Sequence, residues 1–166
     1  MSDADLFEEI GNPLDSVEDV LAANDWAFSR PNSDELIVDV KGRLGSYRMT
    51  FLWQDEYSAM QFMCQYDFVV SNENSLKLPL ALMTMNSELW LGNFDLDRRS
   101  GHPVFRYNTL FRGMTNTSGV EYIGDLVDIA LNECERFYPV FSYLASSEMI
   151  DDASLQLALM SSAGES

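Results

Sequence analysis

The sequence predicts an α+β domain, an antiparallel sheet with helices packed on one of its faces. Two observations carry this. Between Leu36 and Phe68 apolar residues alternate with a second, more polar set at period two, in runs parted by turn residues. That is the pattern of antiparallel strands with one buried side. On either side of this block the apolar residues fall at helical spacing, without the strand–helix alternation that a parallel sheet requires. A length of 166 residues predicts one domain, 1–166, with an ordered core of about 11–160.

The elements follow in order. Asn12 is an N-cap residue type and Pro13 suits a first helical position. Leu14, Val17, Val20 and Leu21 continue at helical spacing, and Asn24-Asp25 ends the helix. Trp26-Ala27-Phe28 is expected as a short edge strand before a turn at Pro31-Asn32-Ser33-Asp34. Leu36, Val38 and Val40 then alternate in a second strand. After a turn from Gly42 to Gly45, Tyr47, Met49, Phe51 and Trp53 alternate in a third. Met60, Phe62, Cys64, Tyr66 and Phe68 alternate in a fourth.

Ser71 to Asn74 reads as a loop and cap, and Ser75 to Leu91 as a helix. Pro79 is tolerable in its first turns, where the missing N–H would have no partner anyway. This helix carries two apolar stripes. Leu78, Leu82, Met85 and Leu89 form one; Leu76, Leu80, Met83 and Trp90 form the other. A helix apolar on two sides packs on two sides, against the sheet and against something else. Gly92 is the expected stop. Two strands follow, around Phe94-Asp95-Leu96 and from Val104 to Phe111, joined through Arg98-Arg99-Ser100-Gly101. A long helix is expected from Ser118 to Leu144, broken near Glu135 by Pro139. A short helix from Asp151 to Met160, capped by Asp151 and anchored by Leu155 and Leu159, closes the chain.

Charge bounds the function. The net charge is −17, and it is unevenly placed. Residues 1–25 hold eight acids, Asp3, Asp5, Glu8 and Glu9 among them, and no base. Residues 118–166 hold nine acids and one base, Arg136. The middle is nearly neutral. Such a field repels nucleic acid and anionic lipid and favours basic partners. The acidic start carries no signal-peptide pattern, and no run is long enough to span a membrane. Cys64 and Cys134 have neither disulfide-framework nor zinc spacing and are expected as buried free thiols. A cytoplasmic location follows from these readings, and the sequon Asn116-Thr117-Ser118 is then without meaning.

Candidate chemistry is thin. His102, the single histidine, lies between Gly101 and Pro103 in a turn and is expected to face solvent. Asp95 and Asp97 would share a strand face, but lack the further oxygen ligands of a calcium loop. Arg98, Arg99, Arg106 and Arg112 give the second hairpin a basic character, best used in pairing with the protein's own acids. The methionines and aromatics of the middle, Trp53, Met49, Met60, Met63, Met83 and Met85, suit a core, although methionine also serves adaptable binding surfaces. No metal, nucleotide or other cofactor is implied.

Four stretches carry a resemblance. They are Gly11-Asn12-Pro13-Leu14-Asp15, Ala23-Asn24-Asp25-Trp26, Leu89-Trp90-Leu91-Gly92-Asn93-Phe94-Asp95-Leu96 and Glu133-Cys134-Glu135-Arg136-Phe137-Tyr138-Pro139. In this order they resemble the YbjN-type family of bacterial sensory transduction regulators, and the order of elements resembles the fold of class I type III secretion chaperones. The resemblance implies a non-enzymatic regulator or chaperone-like adaptor, with no catalytic residues to carry over. It also implies a homodimer built on the second long helix or its neighbouring strand. The expected function is therefore capture of a protein partner, with a basic segment favoured by the charge, in bacterial signalling or secretion. Glu18, Asp19, Glu121 and Asp125, on the polar sides of their helices, are the expected partner-binding acids. A transcription-linked regulator touching nucleic acid and a small hydrolase are the alternatives. The charge opposes the first, and the lack of any nucleophile–base set opposes the second.

Overall fold

The computed structural model describes residues 12–112 and 116–164. Gly11, the acids Asp3, Asp5, Glu8 and Glu9, and the final Glu165-Ser166 lie outside the described residues. Helix α1 (Leu14–Ala23) is followed by strands β1 (Phe28–Asn32), β2 (Glu35–Lys41), β3 (Ser46–Gln54) and β4 (Ala59–Tyr66). Then come α2 (Leu78–Glu88), β5 (Asn93–Leu96), β6 (Pro103–Leu110), α3 (Asn116–Arg136), α4 (Tyr138–Leu144) and α5 (Asp152–Ala163). The strands form one sheet in the order β1-β2-β3-β4-β6-β5, antiparallel at every pairing.

Register explains which face is buried. Val38, Met49, Cys64, Phe105 and Phe94 line up across β2, β3, β4, β6 and β5, and all five are buried. Their alternates, Ile37, Thr50, Met63, Arg106 and Asn93, form the facing row on the open side. The helices cover the first face. There Leu14, Val17 and Leu21 of α1, Ile123, Val127 and Cys134 of α3, and Phe141 and Leu144 of α4 join the strand residues in one core. The α+β prediction, with helices on one face, is what the chain adopts. Among the described residues no helix is long and apolar enough to cross a membrane.

Several boundaries moved, each for a local reason. The edge strand begins at Phe28, and Pro31 and Asn32 belong to it. Proline is acceptable there because an edge strand leaves half its N–H groups without a neighbour. The turn into β2 tightens to Ser33-Asp34, with Asp34 N–H donating to Asn32 Oδ1 at 2.9 Å. β4 stops at Tyr66, and Phe68 leaves the strand yet packs its ring on Tyr66 and Tyr138.

The segment expected as a helix from Ser75 to Leu91 is a 3-10 turn, Asn72–Lys77, followed by α2. Pro79 has no N–H to return to the Ser75 carbonyl, so the α-helical ladder cannot run through this point. At the other end Leu89 is extended, and α2 stops before Gly92. Gly92 instead takes φ +72 in the turn into β5, where a Cβ would strike the Phe105 ring. The long helix divides into α3 and α4 at Phe137, where Pro139 cannot donate to the Glu135 carbonyl. Asn12 Oδ1 accepts the Leu14 N–H at 3.0 Å at the entry to α1, where Pro13 rather than Asn12 takes the N-cap position, and Asp151 caps α5 by accepting the N–H of Ser154 at 2.6 Å.

Candidate protein-binding surface

α2 is apolar on two faces and only one of them is covered. Leu78, Ala81 and Met85 are buried, with Leu82 and Leu89 half-buried beside them. The outer residues are open to solvent: Leu80 and Met83 of α2 are 53% and 66% exposed, Leu76 in the 3-10 turn before it 94%, and Trp90 just past its end 73%. Leu155 and Leu159 of α5 are buried, and α5 packs against α2. Their cover goes to the inner stripe, so the outer one stays bare. α5 adds exposed Leu157 and Met160 of its own. Scattered exposed leucines are ordinary; Leu80 and Met83 together on one face of α2, with Leu76 exposed in the turn before it and Trp90 just after it, are a candidate surface.

Three side chains hold this surface in place. Asn74 is fully buried. Its amide donates to the carbonyls of Ser146 at 3.1 Å and Glu148 at 2.9 Å, and its Oδ1 accepts the Ile150 N–H at 3.0 Å. This fixes the loop that delivers α5 to α2. Asn86, on α2, accepts the Phe94 N–H at 2.6 Å and donates to the Phe94 carbonyl at 3.0 Å. It thereby stands in for a neighbouring strand along β5. Arg136 closes the far end of α5. Its guanidinium donates to the carbonyls of Ser162 at 2.9 Å and Ala163 at 3.3 Å, and pairs with Glu133. The asparagines look like loop and surface residues in sequence, and only the fold converts them into clasps.

The charge around α2 is acidic. Glu73, Glu88, Glu148, Asp151 and Asp152 are all exposed. The single base in these segments, Lys77, is held by Asp152 at 2.6 Å. The expected partner-binding acids lie elsewhere. α1 sits over β1, since Arg30 of β1 pairs with Glu18 at 2.6 Å and Asp15 at 2.9 Å, and Asn12 donates to the Ser33 carbonyl. Glu18 is thus engaged internally, whereas Asp19 is exposed. Glu121 and Asp125 are exposed on α3, which packs against α1. α2 sits at the β5 edge. Five interstrand steps of about 4.8 Å, roughly 24 Å in all, separate the two edges. The fold therefore does not bring Glu18 and Asp19 to the apolar stripe.

The remaining candidates resolve into structural roles. His102 is half-buried rather than solvent-facing, and its Nδ1 lies 2.9 Å from the Tyr66 carbonyl. Asp95 pairs with Arg106 at 3.1 Å. Asp97 accepts from the Ser100 hydroxyl and the Arg99 N–H, which hold its carboxyl below the usual carboxylate range. Arg98 and Arg99 are exposed in the turn between β5 and β6.

Cys64 and Cys134 are buried free thiols. Burial, with the Cys64 side chain beside it, pushes the Cys134 thiol well up. Glu135 is buried, and it accepts from the Leu44 N–H and the Tyr47 hydroxyl, both at 3.1 Å, tying the β2–β3 hairpin to α3. Burial first, and then the Glu135 charge, push the Tyr47 phenol far up. A Cβ on Gly42 would intrude on that carboxylate. Among the described residues no group of three or more His, Cys, Asp or Glu side chains could hold a metal ion.

Residues 13–142 match the model of the YbjN family, described as a putative bacterial sensory transduction regulator. The chain belongs to the YbjN family. Among solved structures it is similar to the crystal structure of YbjN, a putative transcription regulator from E. coli. The TM-score is 0.52 and the identity 14%, over 77% of this chain and 95% of that one. At that identity the likeness concerns the fold. No curated protein matches the chain. The YbjN resemblance rests on residues that now have architectural roles: the Asn12 side-chain turn before α1, the Gly92 turn, the Glu135 clasp and the Pro139 break.

Proposed function

We propose that this member of the YbjN family is a non-enzymatic regulatory module that acts by capturing a protein partner, a chaperone-like adaptor in bacterial signalling or secretion. One observation carries the reading. The outer stripe of α2 leaves large apolar side chains in water on a helix whose other face is fully used. Exposed apolar surface costs solubility, and a stripe of it is the usual mark of an interface. The acidic surroundings agree with a protein partner rather than nucleic acid, because phosphate contact needs clustered Lys and Arg. A role in transcription would then be exerted through another protein.

Copurification from the native host tests the reading. Wild-type chain is compared with the pair Leu80→Ser and Met83→Ser, two exposed positions whose change leaves the core intact. The expected result is one discrete protein retained by the wild type and lost by the pair. Equal recovery by both, or recovery of nucleic acid alone, would contradict it.

A further inference from the structure

The kind of segment that fits this surface can be read from three features around α2. The first is the state of the neighbouring sheet edge. An extended peptide binds by adding a strand to free edge N–H and C=O groups. On β5 the outward groups of Phe94 are both taken by the Asn86 amide, at 2.6 Å and 3.0 Å. The Leu96 N–H is taken by Asp95 Oδ1 at 2.8 Å. Strand addition beside α2 is therefore closed, and what remains is side-chain surface.

The second feature is spacing. On α2 itself Leu80 and Met83 stand about one turn apart on one face, with Leu76 just before the helix in the 3-10 turn, and all three are exposed. Exposed side chains of this kind pack into the grooves of another helix. Met83, unbranched and adaptable, tolerates variation in what it meets.

The third feature is charge. Glu73 and Glu88 bracket the stripe in sequence, and Asp151 and Asp152 open the adjacent α5. Lys77 is already neutralised by Asp152. A second copy would bring the same acids to the same interface and place like charges opposite one another. A partner with Lys or Arg flanking its apolar positions meets complementary charge instead.

We infer that the outer face of α2 is the docking site for a basic amphipathic α-helix of another protein, laid helix against helix, and not for an extended strand or a second copy of this chain. The inference rests on the reading of this face as a protein-binding surface and specifies its occupant.

The test uses the full chain and four synthetic peptides of about four turns. The first is an amphipathic helix former with a leucine stripe and lysine flanks. The second is its scramble, of equal composition but without the stripe. The third carries two central prolines, and the fourth has glutamate for lysine. Titration calorimetry gives affinity, circular dichroism gives peptide helicity on binding, and light scattering gives the mass of the free chain.

The expected result is that the first peptide binds at least about tenfold tighter than each of the others and gains helicity. Leu80→Ser with Met83→Ser should weaken it about tenfold. Glu73→Gln with Glu88→Gln should weaken it and flatten its salt dependence. Equal binding by the scramble would show attraction to net charge alone. Equal binding by the proline peptide would show an extended ligand. A free chain at dimer mass that the Leu80/Met83 pair converts to monomer would assign the face to a second copy. Each of these outcomes overturns the inference. Should host copurification still depend on Leu80 and Met83 while no helical preference is seen, the protein-binding reading stands and this inference alone falls.

Discussion

Replacing Asn74 by alanine should destabilise the protein far more than its place in a loop suggests. The side chain is fully buried. Three of its hydrogen bonds lie at 3.1 Å or less to backbone atoms more than seventy residues away: the carbonyls of Ser146 and Glu148 and the N–H of Ile150. Ser71 Oγ lies at 3.1 Å as well. Alanine removes every one of these and leaves part-buried backbone groups of the loop without their partners. At about 1 kcal/mol net for each of three bonds, plus the cost of partners left unsatisfied, the loss is roughly 3–5 kcal/mol. For a domain of this size that corresponds to about 6–20 °C in melting temperature.

Asn74→Asp is the informative companion. It keeps an acceptor for Ile150 but sets a carboxylate against two carbonyls, so it should be no better than alanine. Thermal melts and urea titrations give the global loss. Amide exchange should show α5 opening before the sheet, because its anchoring loop has lost its post. An Asn74→Ala protein within about 1 kcal/mol of wild type would refute the clasp as the device that positions α5.

Three further outcomes are expected. Neutralising Glu18, Asp19, Glu121 and Asp125 together should slow partner association at low salt without unfolding the chain, as read by stopped-flow mixing. An unchanged rate would remove these acids from the binding account. Cys64 and Cys134, both buried, should resist a thiol reagent in the native protein and react fully in denaturant, so rapid native labelling would contradict their placement. The Asp151 carboxyl is held below its ordinary value first by the Ser154 N–H. Its folded pKa lies below its unfolded one, so its contribution to α5 is complete above the unfolded carboxylate range and fades as pH falls through the folded value. Asp151→Ala should therefore loosen α5 at neutral pH and abolish that part of the acid dependence, followed by amide exchange of α5.

The fold was legible in the sequence wherever periodicity was long. Alternation over Leu36–Val40, Tyr47–Trp53 and Met60–Tyr66 marked three central strands and their buried side correctly, because one face of each meets helices and the other meets solvent. The break at Pro139 was legible because a proline removes a specific hydrogen bond. Boundaries at β1 and α2 were not, since they depend on whether an edge N–H has a neighbour and on where a 3-10 turn yields to an α-helix.

The two-sided apolar character of α2 was also legible, with Leu80 and Met83 on the outer side, although Leu76 falls in the 3-10 turn before the helix and Trp90 beyond its end. Which stripe would be covered was not, because Leu155 and Leu159 arrive from the far end of the chain. Asn86 carried no usable signal, Asn74 read only as part of a loop and cap, and Glu135 only as part of a family-like stretch. Each is an ordinary polar residue in sequence, and becomes a clasp only when a distant backbone segment is brought to it. His102 gave the opposite error: its glycine and proline neighbours suggested exposure, while the fold sets its Nδ1 against Tyr66.

The most direct test of the central claim is a photo-crosslinking amino acid placed at position 80 in the native host, with the same residue at position 65 on the open sheet face as control. The account predicts one discrete protein adduct from position 80, absent from position 65 and lost when Met83→Ser is added. Adducts of equal pattern from both positions, or an adduct at position 80 indifferent to Met83, would contradict it.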